Sequence, residues 1–140
     1  MDDNCIFCKI AKGEIPCHKV YEDNEVLAFL DLSQTTIGHT LVIPKEHYPN
    51  FLSTPQNVMH HVMDVAQRVG QAQMTELLAR GVNILSNVGE VAGQSIAHFH
   101  VHVIPRYASG DGLRITMLDN EKRKDLNLPV LAEKIAGGIK

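Results

Sequence analysis

Residues 97–105 read Ala-His-Phe-His-Val-His-Val-Ile-Pro. Polar and apolar side chains alternate there with a period of two, the period of an extended strand. Such a strand puts His98, His100 and His102 on one face and Phe99, Val101 and Val103 on the other. One face must therefore lie on a core, and the other presents three imidazoles. Solvent faces are normally built from Lys, Glu or Thr, so a face of histidine points to chemistry rather than solubility.

The rest of the chain supplies the frame for that strand. HKVYED (18–23) and EVLAFLDL (25–32) read as successive strands joined at Asp23-Asn24, and GHTLVIP (38–44) as a third closed by Pro44. Thr54-Pro55 has the form of a helix start, a capping hydroxyl followed by proline at the first helical position. Val58, Val62, Val65, Val69 and Ala72 then recur at helical spacing, which predicts one long helix to about Ala79, ended by Gly81. GVNILSN (81–87) reads as a fourth strand, VGEVAGQ (88–94) as a loop and AHFHVHVIP (97–105) as a fifth strand. After Arg106 the loop-forming Gly110-Asp111-Gly112 opens a tail, with a short amphipathic helix after Pro129. Strands gathered around one long helix predict an α+β fold, an antiparallel sheet of about five strands with one long helix and shorter ones. The 140 residues suit a single domain, 1–140, with a core of about 5–107 and a C-terminal tail of 108–140.

Composition narrows the setting. The formal net charge of −3 argues against a nucleic-acid coat or an anionic-membrane binder. The acidic start MDDNCIFCKI lacks the form of a signal peptide, and no run is long and apolar enough to span a membrane. Cys5, Cys8 and Cys17 are too few and too odd in number for a disulfide framework, so a reducing, cytoplasmic location is expected.

The strand alone leaves two chemistries open. One is a metal site. Same-face neighbours on a strand lie about 6.6 Å apart, so all three imidazoles cannot reach one zinc without a bend, and ligands from elsewhere are needed. The other is imidazole catalysis. Neutral imidazole is available at pH 7 and can attack phosphorus, splitting a slow displacement into two easier steps.

The segment His98-Phe99-His100-Val101-His102-Val103-Ile104 resembles the signature of the histidine triad (HIT) family of nucleotide hydrolases and transferases. AGQS (92–95), FLDLS (29–33) and GHTLVIPKEH (38–47) match the same family in the same order. The resemblance implies an antiparallel sheet with helices, usually a homodimer. It implies attack on the α-phosphorus of a nucleoside phosphate derivative, with no catalytic cofactor. His100 matches the nucleophile, which forms a covalent nucleotidyl-histidine. His102 would contact phosphate oxygens, and His39 would orient the site or handle protons. Gln94 and Ser95 match the polar pair that meets the phosphate and leaving group. Gly93 allows close backbone approach there, and Asn87 matches a side chain near the scissile bond. Asp31 matches the acid that binds ribose hydroxyls. Phe7, Ile10, Phe29 and Leu32 match positions that line the base of a purine nucleotide or nucleotide conjugate.

Cys5-x-x-Cys8 has metal-ligand spacing. The likeness to bacterial-type relatives adds His47 and His98 to it, implying a closed structural zinc site of four protein ligands. His98 would then be a ligand and not a base. Transferase branches tend to carry glutamine at the third triad position, so His102 favours a hydrolase. Two other readings stay open: a nucleotide-sensing or regulatory binding protein, and a metallohydrolase that uses the triad on a catalytic ion. The loop VGEVAGQ and the long tail depart from the phosphoramidase branch, while IPRY is closer to the dinucleotide-hydrolase and bacterial branches. That leaves the leaving group open.

Overall fold

Five strands pair into one antiparallel sheet in the order β1-β2-β3-β5-β4. They are β1 (Lys19–Glu22), β2 (Val26–Leu30), β3 (Thr40–Pro44), β4 (Gly81–Leu85) and β5 (Val101–Arg106). Among the described residues three α-helices accompany them, α1 (Ile6–Ala11), α2 (Gln56–Glu76) and α3 (Leu128–Gly138). The structure, a computed structural model, describes residues 3–118 and 126–140. Residues 119–125 of the expected tail lie outside the described residues.

The central strands are apolar on both faces because both faces are covered. Val26 and Ala28 of β2, Val42 of β3 and Val101 and Val103 of β5 pack on Val62, Val65, Ala66 and Val69 of α2. Leu27, Phe29, Leu41 and Ile43 point the other way and pack with Cys5, Phe7 and Cys8 around α1. This opposite face is also where the odd-numbered apolar set gives way to the histidines. Leu41 of β3 stands beside His102 of β5 in register.

The structure corrects several expected boundaries. β5 begins at Val101, not Ala97. Pairing with β3 stops because Pro44 has no N–H to continue the ladder. The chain finds other partners there: the Phe99 N–H donates to the Tyr48 carbonyl at 2.6 Å, and Ser86 Oγ donates to the His100 carbonyl at 2.8 Å. His98 and His100 thus keep the alternation of the strand but sit in extended chain ahead of it.

The fourth strand likewise ends at Leu85, two residues early, and residues Glu90–Ala92 of the expected loop form a 3-10 turn. Helix α2 stops at Glu76 because Leu78 takes a left-handed φ of 59°; Gly81 is the first residue of β4 and not the terminator. Thr54 does not cap α2. Its hydroxyl donates to the Asn50 carbonyl at 2.7 Å, and Pro55 occupies the cap position without a side-chain bond. The capping box lies one turn earlier, between Asn50 and Ser53 on the 3-10 turn Phe51–Ser53. Helix α3 starts at Leu128, with Asn127 as its cap and Pro129 inside its first turn. α1 has no counterpart in the sequence reading. Its 6 residues are under two turns, too few for a period to register.

Candidate active site and metal centre

The described surface has a recess of about 250 Å³ on the sheet face opposite α2, walled by α1, β2 and the histidine segment. Of the residues singled out in the sequence, Phe7, Ile10, Phe29, Asp31, Leu32, Ser95, His100 and His102 line it. Most of the wall is apolar, and its polar groups are Asp31, Ser95, His100 and His102, the last two with ring centroids 5.0 Å apart. Phe7 is buried and meets Phe29, His98 and His100 edge-on, with ring centroids 5.7, 5.8 and 5.1 Å away. Leu32 is 84% exposed and forms the rim.

Backbone partners fix the tautomers of His100 and His39, and His39 fixes that of His102. His100 Nδ1 lies 2.7 Å from the His98 carbonyl, which accepts only, so Nδ1 carries the proton and Nε2 the lone pair. The Thr35 N–H donates to His39 Nδ1 at 3.3 Å, so the His39 proton is on Nε2. That Nε2–H donates to His102 Nδ1 at 3.0 Å, which leaves His102 with its proton on Nε2. His39 Nε2 is also 3.7 Å from an Asp31 oxygen. Burial lowers the pKa of His39 and of His100. Burial, followed by the neighbouring His100 and His39, lowers that of His102 to about 4. All three are therefore neutral imidazoles at pH 7.

The loop before the triad is tied largely to itself. The Gln94 amide donates to the carbonyls of Pro49 and Ile96 at 2.7 and 3.0 Å, and its oxygen accepts the Gly89 N–H at 2.9 Å. Asn87 Nδ2 donates to the Gly93 carbonyl at 3.4 Å. Asn87, Gly93 and Gln94 do not line the recess; Ser95 does.

A second cluster adjoins the first. Ligand atoms of Cys5, Cys8, His47 and His98 all lie within 4.8 Å of one another. His98 Nδ1 is 3.4 Å from Cys5 Sγ and 3.5 Å from Cys8 Sγ, and His47 Nδ1 is 3.3 Å from Cys8 Sγ. Sulfur and nitrogen ligands on one tetrahedral zinc lie about 3.5 Å apart, so these separations fit the ion. His98 Nε2 donates to the Pro44 carbonyl at 2.8 Å, which turns the lone pair of Nδ1 toward the two sulfurs. The CxxC spacing is explained locally: Cys5 is the cap of α1 and its sulfur accepts the Cys8 N–H at 3.4 Å.

Several groups in and around the recess carry no signal in the sequence. Ile6, Ile15, Pro16, Leu41 and Ile96 also line the recess. Cys17 packs beside the core of this face and lines the recess as well. The carbonyls of Pro44 and His98 and the N–H of Thr35 set the imidazole tautomers, and backbone groups leave no residue signature.

The HIT domain model matches residues 12–109, more than half of the chain. A HIT family protein from Bacillus anthracis is 45% identical, superposes with a TM-score of 0.92, and each chain is covered over 100% of its length. A zinc-bound histidine triad family protein from Mycobacterium smegmatis is 36% identical, with a TM-score of 0.74 over 96% of this chain and 97% of that one. Adenylylsulfatase HINT3 of Arabidopsis thaliana is 41% identical over 106 residues, 76% of this chain and 54% of the relative.

Proposed function

The chain belongs to the HIT domain family, and from that membership we propose that it is a nucleotide-binding hydrolase. It cleaves at the α-phosphorus of nucleoside phosphoramidates, dinucleoside polyphosphates or adenylated small molecules. The observation that carries this reading is the bond from His100 Nδ1 to the His98 carbonyl, which leaves the His100 Nε2 lone pair beside a nucleotide-sized apolar recess. The adenylylsulfatase among the relatives supports hydrolysis of an adenylated anion.

The chemistry follows from the tautomers. His100 Nε2 attacks phosphorus, an N–P bond forms and the bond to the leaving group breaks. Water then attacks the nucleotidyl-histidine, the N–P bond breaks, and the nucleoside monophosphate and neutral His100 are released. His102 donates its Nε2–H to a phosphate oxygen, where charge develops, and His39 holds that imidazole through Nδ1. Ser95, which lines the recess, serves the phosphate and leaving group; Gln94 and Gly93, whose N–H groups donate to the Gly89 and Glu90 carbonyls, shape the turn beside it, with Asn87 near the scissile bond. Asp31 accepts the ribose hydroxyls. Phe7, Ile10, Phe29 and Leu32 hold the base by burial.

Cys5, Cys8, His47 and His98 would hold a structural zinc, and the zinc-bound mycobacterial relative supports this. A closed four-ligand zinc supplies folding energy, not a step of the reaction. The chain acts as one domain, 1–140, with a core of about 5–107 and a tail of 108–140, in the cytoplasm and without nucleic acid or membrane partners. No described helix is long and apolar enough to cross a membrane. A homodimer is supported by the open edge of the sheet at β4, beside an apolar groove between Met63 and Met74 of α2 and Val82 and Ile84 of β4.

One observation favours a second reading. Asp31, His39 and His102 place one ligand atom each within 4.8 Å, as a catalytic ion would require. Against it, His39 Nδ1 already accepts the Thr35 N–H, and a proton lies between His39 Nε2 and His102 Nδ1. The test is a panel of adenosine phosphoramidate, diadenosine polyphosphate and adenylylated substrates, with wild type and His100→Asn side by side. Turnover by the wild type that survives chelation and is absent in His100→Asn supports the first reading. Turnover abolished by chelation and restored by an added divalent ion supports the second.

A further inference from the structure

The segment after β5 is the IPRY and Gly110-Asp111-Gly112 stretch, to which no role in the reaction has yet been given. It forms a closed turn. Asp111 accepts from the backbone N–H groups of Tyr107 and Ala108 at 2.6 and 3.2 Å and from Arg106 Nε at 2.7 Å. Arg106 donates further to the Leu113 carbonyl at 2.7 Å and to Asn83 Oδ1 at 2.8 Å, which ties the turn to β4. The turn then presses on the loop that carries Asp31 and His39. The Tyr107 hydroxyl donates to the Ile37 carbonyl at 2.5 Å. Gly112, at φ +76°, lies so close to the Thr35 carbonyl that any Cβ would collide with it.

The same loop is held from its other sides. Gln34 Nε2 donates to the carbonyls of Asp31 and His39, and its oxygen accepts the Gly38 N–H at 2.7 Å. Thr36 Oγ1 donates to the Pro105 carbonyl. Gln73 of α2 donates to the Gly38 carbonyl at 3.0 Å. Between these anchors sits the Thr35 N–H, the donor that fixes the tautomer of His39.

We propose that the turn from Arg106 to Leu113 is a strap that positions the Thr35 N–H, and so sets the proton on His39 and, through it, on His102. Arg106, Tyr107 and Asp111 are then positioning residues. They touch no substrate, and they act by keeping a donor, not a lone pair, on the His102 nitrogen that faces phosphate. If the strap slackens, the Thr35 N–H withdraws and His39 samples both neutral tautomers. With the proton on His39 Nδ1, its Nε2 no longer donates to His102, and the His102 proton moves to Nδ1, away from the phosphate. This rests on the hydrolase reading for its effect on rate, but not for its effect on protonation.

The test uses the full chain labelled with ¹⁵N in its histidines, comparing wild type, Tyr107→Phe and Asp111→Ala. Tyr107→Phe removes only the hydroxyl that ties the strap to Ile37 and leaves the Arg106–Asp111 turn in place. In the wild type, at a pH where all three imidazoles are neutral, the His39 spectrum shows a bare Nδ1 and a protonated Nε2. In both variants the two nitrogen shifts move toward each other. On a nucleotide substrate kcat falls roughly ten-fold or more while the Kd for adenosine monophosphate is unchanged, as for a misplaced catalytic group. His39 shifts like those of the wild type in Tyr107→Phe overturn the strap, whatever the activity. Should Asp111→Ala fail to fold, Tyr107→Phe alone decides. Absence of turnover in the wild type counts against the hydrolase reading and leaves the nitrogen shifts to judge the strap.

Discussion

Acid should weaken this protein in a window set by its histidines, and replacing His102 should remove a defined part of the loss. His102 is lowered from 6.5 to about 4, first by burial and then by the adjacent His100 and His39. The folded state therefore binds fewer protons than the unfolded one between those values. Its contribution is fully present above pH 6.5 and is lost as the pH falls through about 4. Full conversion gives about 3 kcal/mol, and the partial exposure of the side chain reduces this to about 1–2 kcal/mol. Carboxylates do not confuse the window. Glu22, lowered to about 2 by its bonds to Lys19 and Lys45, and Asp111, lowered to about 2 first by the Tyr107 N–H, lose their contributions only below about 4.5. The assay is urea unfolding at pH 7.0 and 4.5, wild type against His102→Gln. The wild type should lose about 1–2 kcal/mol more than the variant over that interval. Equal losses in the two proteins would refute the argument that His102 is held neutral by its surroundings.

Three further outcomes are expected. Cys5→Ser combined with Cys8→Ser should abolish zinc binding, about one ion per chain by elemental analysis in the wild type, and should lower the melting temperature. Phe7→Ala opens the wall shared by the recess and both histidines; it should cost about 3–5 kcal/mol in denaturant and weaken binding of adenosine monophosphate by calorimetry. Ile84→Lys places a charge on the open edge at β4 and should shift the sedimentation of the protein from dimer to monomer.

The His-apolar-His alternation is legible because extended chain with one face on the core enforces it through His98 and His100 into β5, and the helical spacing of Val58 to Val69 is legible because one face of α2 lies on the core. The Cys5–Cys8 pair was readable as a ligand motif. What escaped was set by the backbone. Nothing in the letters says that Pro44 would cut the ladder at Val101, or that its carbonyl would orient His98. Leu78 gives no warning that it turns left-handed and stops α2. The Thr35 N–H, on which the His39 tautomer depends, has no side-chain signature at all. Gln94 reads as a site residue in the sequence, yet its amide is committed to Pro49, Ile96 and Gly89, partners that only the fold brings together.

The central claim is that His100 becomes covalently nucleotidylated. The most direct measurement is rapid acid-free quench of the wild type during turnover of an adenosine-containing substrate, followed by peptide mass spectrometry under alkaline conditions that preserve the nitrogen–phosphorus bond. The account predicts one adenylyl group, on the peptide containing residues 98–102 and on His100 within it. An active enzyme that carries no adenylyl group at any time point, or carries it on another histidine, would contradict it.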